Sequence, residues 1–283
     1  MSDWTPFPYD AAAYLRGGDG LADDWTDLHG GDCEPWPDEA RIEALLATHP
    51  DAAPPGFDGD VAGLATALQE AWRAFHAGDF GAAIDGAAAL GVLGHAPANK
   101  AAGIYAHYLE DDEQVQQKIY LAASDRAEEA TNVLPEDANA WYFHAFNLGR
   151  YSQSISIVKA LRQGIGGKIQ ASLEQALELA PDHAEAHTAL GLYNAEIVDK
   201  VGKMIGSMTY GASADKAIDH FERAIELVPN SPIAHMEYGN GLYMLYGDKQ
   251  LDRVTELYEQ ASEMTPRDAM ERLDVEAALS ELE

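Results

Sequence analysis

The sequence predicts an all-α chain, a solenoid of helical hairpins, and three observations carry that prediction. Residues 216–246, KAIDHFERAIELVPNSPIAHMEYGNGLYMLY, read as one helix, a proline-marked turn and the start of another helix. Ala217, Phe221 and Ala224 fall on one helical face, and Pro229 ends the run. The same columns return at Ile169, Leu173, Ala176 and Pro181, and at Val254, Tyr258, Ala261 and Pro266. A fainter copy runs through Ala123, Ala127, Ala130 and Pro135. Finally, prolines at 97, 135, 181, 229 and 266 punctuate the chain at 38, 46, 48 and 37 residues, a spacing that suits stacked hairpins.

A small residue, an aromatic one four later, Ala three further on and Pro five beyond is the second half of a tetratricopeptide (TPR) repeat. The small residues let helices approach closely and the aromatic one wedges between them. The expected architecture is a TPR-like solenoid over residues 61–283, preceded by an irregular arm over residues 1–60. The arm holds Trp4, Trp25 and Trp36, seven prolines and fourteen acids against only Arg16 and Arg41. Disordered segments are poor in large aromatic residues, so the arm is expected to dock on the first hairpin or in the groove, with a free acidic tail as the alternative. Short helices are expected at Ala11–Leu15 and Asp38–Thr48, with Asp38 capping the second.

From Val61 the helical period sets in. Gly78-Asp79-Phe80 makes the first inter-helix turn, with Gly supplying a positive φ and Asp the next cap. Asn99 to Pro135 forms a second hairpin whose long second helix follows Asp111-Asp112. The two middle repeats exceed a plain repeat of about 34 residues. Their extra stretches, roughly 154–167 and 199–213, are amphipathic and glycine-containing. Ile155, Val158, Leu161 and Ile165 line one side of the first, and Val201, Met204, Ile205 and Met208 one side of the second.

At these inserts the chain resembles a known family. YSQSISIVKALRQGIGGKIQASLEQALELAPDHAEAHTALGLYNAEIVDK, the KMIGSMTYGAS that precedes AIDHFERAIELVP, and the closing MTPRDAMERLDVEAALSEL are similar to the regulator-of-microtubule-dynamics TPR family over about residues 100–283. The resemblance implies an all-α TPR fold and a non-catalytic, protein-associating role. A weaker resemblance, to TPR subunits of solute transporters, implies helical repeats around a ligand cavity, but those are exported proteins.

The charge, −30 from 48 acids and 18 bases, argues against nucleic-acid or membrane binding through general charge, since such a field repels phosphates and anionic head groups. Cys33 is the only cysteine, which removes a disulfide framework and a Cys-based metal site. MSDWTPFPYD has neither a basic start nor an apolar run, and no long apolar window occurs, so a soluble cytoplasmic protein is expected. No cofactor is expected. Gly164-Ile165-Gly166-Gly167-Lys168 fails the phosphate-loop pattern because Ile169 follows the lysine. His183 and His187 are spaced for a shared metal, but no third ligand is evident. His187 also occupies the column of Trp141 and His235, packed inside the hairpin. No nucleophile and base are paired, so the chain is read as no enzyme.

Two sets of binding residues follow. If Trp141, His187 and His235 point inward, the groove face carries Asn139, Tyr142, Phe146 and Arg150, then Glu185, Thr188, Leu192 and Glu196, then Met236, Asn240 and Tyr243. That mixture suits a protein or peptide partner. Between residues 151 and 212, five bases nearly balance six acids, and Lys159, Arg162, Lys168, Lys200, Lys203 and Met204 form a predicted insert island. The island reads either as an anchor for an acidic peptide or small anion, or as bases that offset the arm and neighbouring acids. The alternative function is a small-ligand binder with a cavity between the inserts.

Overall fold

The computed structural model describes residues 4–283, apart from the side chains of Ile157, Val158 and Leu161, so the expected roles of Val158 and Leu161 lie outside the described residues. Its elements are all helical, with no strand among the described residues. In the arm they are α1 (Gly20–Asp23), α2 (Trp25–Leu28) and α3 (Glu39–Thr48). Then come α4 (Val61–His76), α5 (Phe80–Ala88), α6 (His95–Tyr108), α7 (Glu113–Val133) and α8 (Ala138–Gln153). They are followed by α9 (Ile157–Arg162), α10 (Ile165–Leu179), α11 (Ala184–Val201) and the single turn α12 (Lys203–Ile205). The chain closes with α13 (Ala214–Leu227), α14 (Pro232–Tyr246), α15 (Leu251–Ser262) and α16 (Ala269–Glu281). Within residues 61–153, α4 to α8 pack each on the next, and within residues 157–262 so do α9 on α10, α10 on α11, α11 on α13, α13 on α14 and α14 on α15, as in a helical solenoid.

The helix starts follow the sequence. Asp38, Asp60, Asp79 and Asp112 each accept a backbone N–H in the first turn of α3, α4, α5 and α7. Ser213 and Ser231 do the same for α13 and α14. Gly78 takes φ +88° in the α4–α5 turn. Of the expected arm helices, the second forms α3 with Asp38 as its cap, whereas Ala11–Tyr14 make only a single 3-10 turn capped by Asp10.

The chain divides into two compact units. The first comprises residues 1–28, 34–156 and 268–270. Its core joins Ile42 and Ala52 of the arm to Leu64, Ala65 and Leu68 of α4, with Leu93 and Leu134. Arm tryptophans pack within it. Trp4 sits edge-on to Tyr105, its ring against Gly81 and its Nε1–H directed to Asp85. Trp25 meets both Trp36 and Trp72 edge-on. Trp72 stacks on His76, whose Nδ1 lies 2.7 Å from Asp268 Oδ2, both side chains buried.

The second unit comprises residues 29–33, 157–267 and 271–283. The repeat columns form its interior: Ala217, Phe221 and Ala224 are fully buried, as are Ala176 and Ala261. Phe221 stacks on Tyr238 and packs with Leu242, Val254, Leu257 and Tyr258. The faint column, Ala123, Ala127 and Ala130, is equally buried in the first unit. The inserts break the helices at glycines. Left-handed Gly164 separates α9 from α10, and Gly202 and Gly211 bracket α12 and a π-helical turn over Gly206–Tyr210.

Candidate functional site

In the first unit the candidate face runs along α8. Asp137 caps this helix by accepting from the backbone N–H of Asn139 at 2.9 Å and Ala140 at 3.3 Å. That cap fixes the buried Asn139 in the first turn, where its Nδ2 donates to Glu34 Oε2 of the arm at 2.6 Å. One turn on, Tyr142 is buried and stacks on half-buried Phe146, whose ring lies against Gly103 of α6. Arg150 sets its guanidinium 5.8 Å from the Phe146 ring centroid and donates to Gln153 Oε1.

Beside Asn139 lies a cavity of about 30 Å3, lined among others by Glu34, Pro37, Arg41, Trp72, His95 and Asp137. Burial acts to raise the Asp137 pKa, but the hydrogen bond and charge of His95, helped by Arg41, hold it below the ordinary carboxylate value. His95 Nε2 is 3.4 Å from Asp137 Oδ2, while the buried His95 Nδ1 has no hydrogen-bond partner among the described residues.

In the second unit the face is made by α11 and α14, which pack together. Glu185 donates its backbone N–H to the Gly31 carbonyl at 2.9 Å. Thr188 is buried and donates to the Ala184 carbonyl. Leu192 and Glu196 are half-buried, with Glu196 3.5 Å from Lys200 Nζ. On α14, Met236 is buried, and half-buried Asn240 donates to Glu237 Oε2 and accepts from the Tyr258 hydroxyl. Tyr243 stands 53 % exposed. Of these residues Thr188 and Met236 are buried, Leu192, Glu196 and Asn240 half-buried and Tyr243 exposed.

The rings expected to pack inside the hairpins, half-buried at Trp141 and His187 and buried at His235, bond to the turns before their helices. Trp141 Nε1–H donates to the Pro135 carbonyl at 2.9 Å, and His187 Nε2–H donates to the Pro181 carbonyl at 3.1 Å. His235 Nδ1 lies 3.0 Å from the Ser231 carbonyl. With its Nε2 proton so used, neutral His187 offers Nδ1 as an acceptor, and His220 Nδ1 lies 2.9 Å away. Burial first, then charge, keeps both rings neutral: His187 is shifted down, and His220 falls to about 4 with His187 the next cause. His183 instead caps α11, its Nδ1 accepting from Ala186 N–H. His183 and His187 therefore serve separate structural roles, and the described residues contain no group of three or more His, Cys, Asp or Glu placed to hold a metal ion.

Of the insert residues, Lys159, Arg162, Lys168, Lys200 and Lys203 are exposed and Met204 is 73 % exposed. The two inserts adjoin, since a Cβ at Gly166 would lie 3.6 Å from Tyr210. The apolar side expected on the second insert is open: Ile205 and Met208 are exposed with Met204. A π turn between two left-handed glycines does not keep the 3.6-residue period from which a buried face was read.

Cys33 lies in the second unit with φ +53° and its Sγ 3.6 Å from the Asp182 carbonyl. Partial burial, then Asp32, Glu185 and Asp182, push its thiol pKa up to about 11. The sequence reading missed Glu34, Arg41, His95 and Asp137. Asp137 was findable as an N-cap before Ala138, but no local signal points to the other three.

A scan against known families matches residues 98–282 to regulator of microtubule dynamics protein 1-3. The match begins inside α6, so the arm and the α4–α5 hairpin lie outside it. No curated protein matches the chain. Among the described residues, no helix is long and apolar enough to cross a membrane.

Proposed function

Because the chain belongs to the regulator of microtubule dynamics protein 1-3 family, we propose that it is a non-catalytic scaffold, acting in microtubule-related regulation, that binds a protein or peptide on the face along α8 and the face made by α11 and α14. One observation carries this reading: the chain's own arm is already held there as a peptide. Glu34 is bonded to Asn139, and the Gly31 carbonyl accepts from Glu185 N–H. In each unit, a helix face that satisfies a main-chain or side-chain group of a non-helical segment has the chemistry to take another. The face histidines are committed to caps and turn carbonyls, which fits a structural rather than a catalytic use of these rings. With a net charge of −30, association with an acidic polymer would require a local basic surface such as the exposed insert lysines, or an intermediary protein.

The test is recovery of partners from cell extract by the purified chain and by Tyr243→Glu and Leu192→Glu. Loss of the same partner in both variants at unchanged helicity is expected. Undiminished capture by both would refute binding at this face.

A further inference from the structure

Residues 34–37, Glu-Pro-Trp-Pro, contact the first unit unlike ordinary loop residues. They belong to no helix, and Pro35 and Pro37 restrict the backbone to an extended course. Four kinds of contact hold them. The Glu34 carboxylate takes the Asn139 amide at 2.6 Å in the first turn of α8, where the helix dipole favours an anion. The Glu34 carbonyl accepts from Trp25 Nε1–H at 2.7 Å. Trp36 meets the Trp25 ring edge-on at 4.8 Å, and the Pro37 carbonyl accepts from Gln69 Nε2 at 3.0 Å. Asn139 thus reads the acid, Trp25 the aromatic ring and one carbonyl, and Gln69 the other carbonyl.

Two further facts bear on what this surface is for. Asn139 and Asp137 lie within the stretch matched to the family, whereas residues 34–37, Trp25 and Gln69 lie outside it, so a segment outside the matched stretch covers a residue inside it. His95 also lines the cavity beside Glu34 and Pro37, and its buried Nδ1 has no hydrogen-bond partner among the described residues. An unpaired buried nitrogen costs free energy, and a ligand group that reached it would recover that cost.

We infer that residues 34–37 are an internal ligand, and that the partner segment for this surface is an extended acidic peptide with tryptophan two residues after the acid, flanked by proline. This rests on the scaffold reading and specifies its partner at Asn139. A segment tethered in the same chain acts at an effective concentration of order millimolar, so the external peptide competes only when the internal one is weakened.

The test uses the full-length protein and a fluorescent synthetic peptide of residues 31–40, read by anisotropy. Little binding is expected to the wild type, more to Glu34→Gln, and most to the Glu34→Ala/Trp36→Ala double variant. Adding Asn139→Ala to the double variant should weaken binding about tenfold, as should replacing the peptide's own Glu and Trp by Ala. Circular dichroism checks folding, and Glu34→Gln, nearly isosteric, serves if the double variant unfolds. No binding to any folded variant, or binding indifferent to Asn139 and to the peptide's Glu and Trp, overturns the inference. Partner capture through Tyr243 and Leu192 is a separate readout, so the scaffold reading can survive that failure.

Discussion

Phe221 offers the sharpest test of the packing. It has no exposed surface and lies between two glycines of neighbouring helices, Gly191 on α11 and Gly241 on α14. A Cβ at Gly241 would fall 2.4 Å from Phe221 Cε2 and 2.7 Å from Cζ, more than 1 Å inside ordinary carbon contact at about 3.5–4.0 Å. The ring cannot retreat, because a Cβ at Gly191 would already be 2.8 Å from its other edge atoms. Gly241→Ala therefore pits overpacking of about 1–3 kcal/mol or more against a helix-propensity gain of about 1 kcal/mol. A net loss of roughly 1–2 kcal/mol is expected, a fall in Tm of about 2–8 °C. Gly149→Ala is the control: it also lies inside a helix, α8, but its added Cβ meets nothing within 4 Å, so only the gain of about 1 kcal/mol should appear. Thermal melts of both variants, with Phe221→Leu tested as a rescue of Gly241→Ala, decide the matter. If Gly241→Ala stabilises the protein as Gly149→Ala does, the wedge at Phe221 is not there.

Ala176→Trp should cost about 3 kcal/mol or more, since this fully buried position has no room for an indole; an unchanged melting midpoint would contradict that. Asp112→Ala removes a cap that accepts from Gln114 and Val115 N–H, and should cost about 1 kcal/mol in denaturant melts. Acid should weaken the His187–His220 contact: both folded pKa values lie below the unfolded value near 6.5, so the unfolded chain takes up protons first. Stability from this pair is complete above about pH 6.5 and falls towards pH 4; Arg223 and Lys216 reinforce the shifts, while Asp182 and Asp219 oppose them. Melts between pH 7.5 and 4.5 should show a shallower decline for His220→Gln than for the wild type.

Local periodicity explains what could be read in advance. Columns such as Ala217, Phe221 and Ala224 recur at helical spacing because one face of each helix must be buried, and they are buried. Caps at Asp38, Asp79 and Asp112 are legible because the acid stands immediately before its helix. Glu34 and Asn139 are 105 residues apart, and no period links an irregular arm to a helix it meets. Nor does any local pattern reveal that residues 268–270 belong to the first unit, where His76 pairs with Asp268. Met204, Ile205 and Met208 look amphipathic in sequence, yet they stand exposed on a turn where the helical period has lapsed.

The chain's single cysteine makes a slow nucleophile. With its thiol pKa near 11, hardly any Cys33 is thiolate at neutral pH, and three nearby carboxylates repel anionic reagents. Alkylation and peroxide oxidation should lag well behind an unhindered thiol, although the residue itself is exposed. Loosening residues 29–33 from Asp182 and Glu185 would remove the brake, so the alkylation rate at fixed pH becomes a native clock for detachment of that segment. A rate equal to that of a free thiol in the untouched protein would show that the segment does not stay where it is placed.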